Sequence, residues 1–430
     1  MYRTLSAPIL VQWEVTPTCN HKCLHCYNFW RTKPPKQSLP DGYNELYAKI
    51  VDEIIKNKIF SVVITGGEPL VVIEKISPFI QHLAESGISV SLNSNLSLLT
   101  PRKTDLLKEC GIRSILVSLP TANPDTCSFL TNKANALPSI IAGIKLAIAQ
   151  GFRVVGNMVV SKYNLPEIEQ TVELAHTLHM HDFAVTRASN PAPNSWFAEK
   201  ILDKKDFLQM QERIDCLKEK FSFDLCSLEA VSLCAYGEAH VGKATRSCNA
   251  GKTSCMIDID GFIHPCIRLE KGYGHISKGL VSAWLAMNEY RSGELIPITC
   301  KQCKLKNRCE GGCKADALVS TGSIVNPDPL YNLSNIPSIK PTDVPQVTAE
   351  KFSVNSKIRT RNESFGEIVY VSSTQWIPID SQLLPLMIPR STITILDLCL
   401  ALSISESDAR DTASFLVHNK FLIPIESQLP

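Results

Sequence analysis

Ile9-Leu10-Val11-Gln12-Trp13-Glu14-Val15 leads, two residues on, into Thr18-Cys19-Asn20-His21-Lys22-Cys23-Leu24-His25-Cys26-Tyr27. The first stretch reads as a buried β-strand. The second is a loop carrying three cysteines in the spacing CxxxCxxC. A cubane [4Fe–4S] cluster normally takes one cysteine thiolate per iron. Three thiolates in one tight loop leave one iron free to bind a small molecule through an amine and a carboxylate. The competing reading is a zinc loop, although zinc sites usually show paired CxxC or histidine partners.

Outward from this loop, apolar runs alternate with amphipathic stretches over the first 190 or so residues. Strands are expected at 9–15, 59–65, 88–93, 112–118, 153–160 and 183–187. Helices are expected at 43–57, 78–86, 137–150 and 165–179. Such alternation predicts a parallel sheet with helical crossovers. Six repeats are too few for a closed eight-fold barrel, so the expected fold class is α/β, an open, partial (β/α)6 TIM-like barrel. Ligands of such sheets sit at the C-terminal strand ends, where the cysteine loop lies.

The whole chain sets further bounds. Its 430 residues predict two to four domains. With 44 Lys+Arg against 42 Asp+Glu, the net charge of +2 gives no electrostatic case for nucleic acid or an anionic membrane. The start is wrongly flanked for a signal peptide, and no apolar stretch reaches membrane-span length. A cytoplasmic location is expected. There, 16 cysteines argue for metal ligation rather than disulfides.

The second strand ends in Thr65-Gly66-Gly67-Glu68-Pro69. Alone this is an ordinary glycine turn. Behind a CxxxCxxC loop it resembles the GGEP motif of the radical SAM superfamily. In that family an electron from the cluster cleaves bound S-adenosylmethionine (SAM) to a 5'-deoxyadenosyl radical, which abstracts a hydrogen atom. The resemblance implies that Cys19, Cys23 and Cys26 hold the [4Fe–4S] cluster. It implies that Gly66, Gly67 and Glu68 meet the methionine moiety of SAM, with Glu68 adding a charge-assisted hydrogen bond. Asn95 falls at the Asn of the family's ribose segment, although Leu96 replaces the usual Gly. Ser118 and Asn157 match positions that often face SAM; by residue type alone each is a satisfied strand-end polar group. Arg187, ending the sixth strand, would meet the SAM carboxylate or a substrate acid; the alternative is a surface arginine.

A second constellation follows: Cys248, Cys255, Cys266, Cys300, Cys303, Cys309 and Cys313. The last four are spaced CxxCxxxxxCxxxC. Asp260-Gly261, between Met256-Ile257 and Phe262-Ile263, signals a β-hairpin turn. The set resembles the SPASM auxiliary-cluster domain. That resemblance implies one auxiliary cluster on Cys248, Cys255, Cys266 and Cys313, and the start of a second on Cys300, Cys303 and Cys309; zinc on the CxxC pair is the alternative. The family expects one more cysteine, in the segment Asn326-Pro327-Asp328-Pro329-Leu330-Tyr331, and none is there. Asp328, Tyr331 or another oxygen ligand substitutes, or the iron stays open to substrate, or the cluster is smaller or absent. One or two auxiliary clusters are therefore expected. Ile267 and Arg268 follow Cys266 where sulfatase-maturing relatives carry an acid, which discounts that oxidation chemistry. Cys110, Cys127, Cys216, Cys226, Cys234 and Cys399 read as small core residues.

Residues 332–347 are rich in Asn, Ser, Pro and Thr and read as a linker. The expected division is a radical SAM barrel over 1–195, a bridging and SPASM region over 196–331, a linker over 332–355 and a last domain over 356–430. The Pro-rich breaker 190–194 marks the first boundary. The last domain shows short strands and three helix patterns, at 381–387, 393–402 and 406–418. It is expected to be winged-helix-like and resembles a PqqD-like RiPP recognition element, which takes a peptide as an added strand; its plainer reading is a capping domain. The chain is thus expected to be a radical SAM maturase of a ribosomal precursor peptide, held by the C-terminal domain and served by an electron donor such as flavodoxin or ferredoxin. One rival is a radical SAM enzyme of a small molecule with a structural C-terminal domain. The other is a non-catalytic zinc or iron–sulfur protein.

Overall fold

All six apolar runs become strands of one sheet. In the computed structural model, which describes residues 4–28, 38–193, 195–221, 224–241, 246–338 and 344–425, they are β1 Leu10–Glu14, β2 Ser61–Thr65, β3 Ser89–Ser94, β4 Ser114–Ser118, β5 Arg153–Val160 and β6 Asp182–Arg187. A short seventh, β7 Asp224–Cys226, extends the parallel ladder beside β6. Three residues are too few to show as an apolar run. Three of the expected helices form as Tyr43–Lys56, Ala136–Ala149 and Ile168–Thr177, and a further helix, Lys204–Lys220, follows the Pro-rich breaker. The helix expected to start at Pro78 starts at Ile73 instead. Pro78 cannot bond the Glu74 carbonyl, and the Ser77 hydroxyl donates to it at 3.4 Å. Asn194, in the Pro-rich breaker, and 339–343, in the linker, lie outside the described residues.

The strands alternate although they are parallel. In β5, Val154, Gly156, Met158 and Val160 are buried, while the residues between them are only half buried. Both faces of a covered parallel sheet would be apolar. Here one face takes the helices: Tyr47, Ile50, Val51 and Ile54 of Tyr43–Lys56 are buried, and Tyr47 stacks edge-on against Trp13 at 4.8 Å. The other face carries Asn93, Leu116, Asn157 and Val159 and lines an open cavity.

The cysteine-rich segment is not a separate layer. β8 Ser254–Ile257 pairs in parallel with β1, opposite Leu10–Trp13. β9 Phe262–His264 returns antiparallel to β8, and β10 Gly274–His275 pairs with β9. The turn Asp258–Gly261, with Gly261 at φ 85°, makes the expected hairpin. The sheet order is β10-β9-β8-β1-β2-β3-β4-β5-β6-β7. Residues on both sides of the expected 195/196 division thus share one sheet, and Met1–Ile339 is one compact unit.

A buried charge cluster ties the last barrel strand to the segment around the cysteines. Arg187, ending β6, is 3% exposed. Its Nη2 donates to Asp316 at 2.7 Å and Asp328 at 2.5 Å, and its Nε to Glu229 at 2.9 Å. Asp316 also pairs with Arg268. Arg187 is therefore not a surface arginine: its Nε and Nη2 donate to three buried carboxyls. Burial pushes Glu229 up to about 8 against the pull of Arg187, which brings two guanidiniums and three carboxyls toward charge balance.

The second unit, Lys340–Pro430, has its own core of Phe352, Val354, Val369, Leu398, Ala409, Ala413, Leu416 and Phe421. It holds two three-stranded antiparallel sheets. One is β15-β11-β16, from β11 Lys351–Val354, β15 Thr392–Thr394 and β16 Leu422–Pro424. The other is β12-β13-β14, from β12 Arg359–Glu363, β13 Gly366–Ser372 and β14 Gln375–Ile379. β11 lies inside the stretch read as linker, because Phe352 and Val354 alternate into the core. Two helices, Ile395–Leu402 and Glu406–His418, start on Thr394 and Ser405 side-chain caps. The third expected helix is only a 3-10 turn, Leu384–Leu386, with Pro385 inside it.

Replacing Arg187 with Met should destabilise the first unit by about 3–5 kcal/mol, because three buried carboxyls lose their partner; a urea midpoint within error of the wild type would refute the cluster. Folding raises the Glu229 pKa above its ordinary 4.5. The folded state therefore holds that proton longer than the unfolded chain does, and stability falls as pH rises from about 4.5 toward about 8. Glu229→Gln should flatten that fall in a pH series of urea midpoints.

Candidate functional site

At the C-terminal ends of the parallel strands lies an open cavity of about 170 Å³. Cys19, Cys23 and Cys26 all line it, together with Gly66, Gly67, Glu68, Asn95, Ser118 and Asn157. The cysteine loop is held by its backbone: Lys22 and Leu24 N–H groups donate to Thr131 and Leu130 carbonyls at 3.0 and 2.9 Å, and Cys26 N–H to Cys23 O at 3.2 Å. The three thiols thus stay half buried, facing shared space.

The glycine pair serves loop packing first. Gly67 N–H donates to Thr16 O at 2.7 Å, and Glu68 N–H to Thr18 O at 2.8 Å. A Cβ on Gly66 would stand 2.4 Å from Thr16 O, and one on Gly67 2.2 Å from Thr18 O. Gly66 also sits at φ 129°, a conformation other residues avoid. Its carbonyl accepts from Asn28 Nδ2 at 3.0 Å. The sequence motif is the imprint of one loop lying against the other.

Glu68, on the cavity wall, also braces the loops around it. Its carboxylate is buried and accepts from Asn95 N–H at 2.8 Å, Ser94 Oγ at 2.7 Å and Leu70 N–H at 3.1 Å. Burial pushes this carboxyl above its ordinary value, and these donors pull against that shift. Glu68 therefore joins the loop after β2 to the end of β3. Asn95 continues the chain of contacts, donating to Asn20 Oδ1 at 2.9 Å and accepting from Ser97 N–H at 3.0 Å. Asn20 also donates to Ser97 Oγ at 2.8 Å. Leu96, where the family pattern has Gly, adopts φ 56°. The glycine conformation survives without the glycine, at a cost of about 1–2 kcal/mol. Ser118 and Asn157 are register partners on β4 and β5. The Asn157 carbonyl amide accepts from Thr186 Oγ1 at 2.9 Å.

Residues the sequence reading passed over also face the cavity: His21, His25, Asn93 and Thr65. The two histidines lie within the CxxxCxxC stretch, and that position was the available signal. Three thiols on one polar wall, with no fourth sulfur among the lining residues, fit a cubane with one free iron. The half-buried polar strand ends opposite fit a polar ligand on that iron.

The second cysteine set divides. Cys248, Cys266 and Cys313 are close enough for their charges to act on one another, and Arg268 Nη1 donates to Cys313 Sγ at 3.4 Å. Cys255 is buried in β8, its thiol pushed up to about 12 by burial alone. Cys300, Cys303 and Cys309 line a separate small recess. Asp328, a candidate oxygen ligand, is spent on Arg187 and on Leu330 N–H. Cys110 and Cys127 are core residues as expected, Cys216 is exposed, and Cys234 lies on the wall of the recess. Among the described residues no group of three or more His, Cys, Asp or Glu is arranged to hold a single metal ion. A single zinc shell needs such a group, whereas a cubane spreads its thiolates over separate irons.

Gly67→Ala should lower SAM affinity at least about tenfold, because the added Cβ must displace the cysteine-loop backbone. Equilibrium dialysis on the anaerobically reconstituted protein measures this. Gly272→Ala, whose Cβ meets nothing nearer than 3.6 Å, should leave affinity unchanged.

Residues 13–175 match the model of the Radical SAM superfamily. Over 349 residues the chain is 26% identical to AdoMet-dependent heme synthase of Methanosarcina barkeri, spanning 76% of this chain and 97% of that protein. It is 25% identical to PqqA peptide cyclase of Ruegeria pomeroyi, spanning 77% and 89%. SuiB of Streptococcus suis, solved bound to precursor peptide SuiA, superposes with a TM-score of 0.63 at 20% identity over 77% of each chain. Among the described residues no helix is long and apolar enough to cross a membrane. Residues 13–175 are a radical SAM domain, and the parallel sheet around their cavity is the radical SAM fold.

Proposed function

We propose that this radical SAM enzyme modifies a ribosomally made precursor peptide. The observation that carries the reading is the three-thiol cavity in a chain that resembles, over three-quarters of its length, proteins named for work on peptides. Cys19, Cys23 and Cys26 would hold the cluster. Bound there, reduced cluster and SAM supply a carbon radical that abstracts hydrogen. The chain's own residues set where this happens. Glu68 fixes Asn95 beside the cysteine loop, Gly66 and Gly67 keep the two loops in contact, and Ser118 and Asn157 present polar groups from the strand ends.

The second unit supports a peptide partner. β16 pairs only with β11 among the described residues, so its other edge is open to an added strand. Ile423 on that strand and Phe415 on the helix packed beside it are exposed. So are Leu396 and Leu400, one turn apart on the helix Ile395–Leu402, at 65% and 71%. Exposed apolar side chains beside a free edge suit an extended peptide better than they suit solvent. Residues 356–430 would act as the leader-binding element, raising the local concentration of the core peptide. The cysteine-rich segment would act as a SPASM-type domain, its auxiliary clusters passing on electrons or anchoring substrate. A cytoplasmic flavodoxin or ferredoxin would reduce the first cluster.

The likeness to a heme synthase favours a second reading, a small-molecule substrate with a structural C-terminal unit. The two part on one measurement. The reconstituted protein, with reductant, SAM and a short peptide encoded beside its gene, should form 5'-deoxyadenosine and change the peptide's mass or its deuterium content in heavy water. Cys23→Ala should abolish both. 5'-Deoxyadenosine without peptide change, and no binding of that peptide by the full chain, would favour the small molecule.

A further inference from the structure

We infer that Cys234 is the fourth thiolate of a second auxiliary iron–sulfur site, alongside Cys300, Cys303 and Cys309. The inference rests on the reading of the cysteine-rich segment as a cluster domain. All four cysteines line the same recess. Cys234 comes from outside that segment, in the first turn of the helix Leu233–His240. Three further contacts put it there. Leu233 N–H donates to Cys309 Sγ at 3.2 Å, so the start of this helix touches the CxxCxxxxxC stretch directly. Asn332 N–H donates to Cys234 Sγ at 3.1 Å, so the sulfur reaches the chain immediately after Tyr331, where the family pattern places its last cysteine. The Tyr331 side chain itself is 38% exposed. Cys300 and Cys309 are also near enough for their charges to act on the Cys234 sulfur.

The surroundings suit sulfur carrying negative charge. Leu305 N–H donates to Cys303 Sγ at 3.4 Å, so three of the four sulfurs accept a backbone N–H, as cluster thiolates do. Ser232 Oγ, on the same wall and fully buried, has no hydrogen-bond partner. A hydroxyl left so in a core is costly, and a cluster sulfur would accept from it. Gly311 and Gly312, both at φ 82°, make the close approach. A Cβ on Gly312 would stand 2.6 Å from Ser232 N. A plain core cysteine requires none of this. The oxygen candidates fall away, since Asp328 is held by Arg187 and Tyr331 turns outward.

The test is iron and sulfide content, with EPR of the reduced state, on full-length protein reconstituted anaerobically. Cys234→Ala should lose up to one cubane, about four irons per chain, as should Cys303→Ala. Combining the two should lose no more than either alone. Cys234→Ser, which keeps the size of the side chain, should lose the same iron or shift the EPR signal, a change that a merely structural Cys234 would not show. Cys110→Ala should keep full iron. A Cys234→Ala protein with wild-type iron and spectra would overturn the assignment, as would a Cys234→Ser protein with wild-type iron and spectra. SAM cleavage, scored on the same samples, separates the two readings. Cleavage with unchanged iron in Cys234→Ala sinks only this ligand, whereas iron loss without any cleavage by the wild type sinks the radical enzyme and leaves the ligand standing.

Discussion

Everything at the cavity depends on one backbone contact, the loop after β2 lying flat against the cysteine loop after β1. It prolongs the β1–β2 ladder past the strand ends: Val15 N–H to Thr65 O at 3.0 Å, then Gly67 N–H to Thr16 O and Glu68 N–H to Thr18 O. The contact admits no side chain at Gly66 or Gly67. Once it forms, the Glu68 side chain has one place to go, and it captures the end of β3 through Asn95 and Ser94. Three loops are locked by a single carboxylate under the floor of the site. The acid of the GGEP motif thus works as a brace.

The parts legible from sequence are those written as periodicity or spacing. Strand alternation located β1 to β6, and the cysteine spacing located the ligand loop, because both are local signals. β7 was illegible, being three residues long, and the helix at Ile73 was misjudged because Pro78 normally starts a helix rather than sitting inside one. Side-chain roles were less legible than positions. Glu68 and Asn95 do line the cavity, yet their hydrogen bonds run to Ser94 and Asn20, 26 and 75 residues away in sequence. Leu96 departs from the family residue but keeps its backbone conformation.

Arg187 shows the same limit more sharply. A lone arginine at a strand end looks like an anion receptor, and its true anions, Glu229, Asp316 and Asp328, come from 42 to 141 residues further along. Such a cluster is weak evidence of net stability, since desolvation offsets much of the attraction. What it supplies is placement. Asp316 follows Cys313 by one helical turn and also pairs with Arg268, two residues past Cys266. One guanidinium at the end of β6 therefore sets the position of two elements that bear cysteines.

Two side chains join the two cysteine regions. Tyr27 follows Cys26 directly, and its ring faces the Arg268 guanidinium at 5.8 Å. Charges on both Cys26 and Cys266 act on its phenol. Tyr27 and Arg268 thus bridge the loop of the first cysteine set and the hairpin of the second. The parallel pairing of β8 with β1 makes this bridge unavoidable, because it lays the hairpin alongside the strand that feeds the CxxxCxxC loop. Ile267 and Arg268 follow Cys266, and the Arg268 guanidinium, held by Asp316, also donates to Cys313 Sγ at 3.4 Å, so one cation touches both the Tyr27 ring and a sulfur of the second cysteine set.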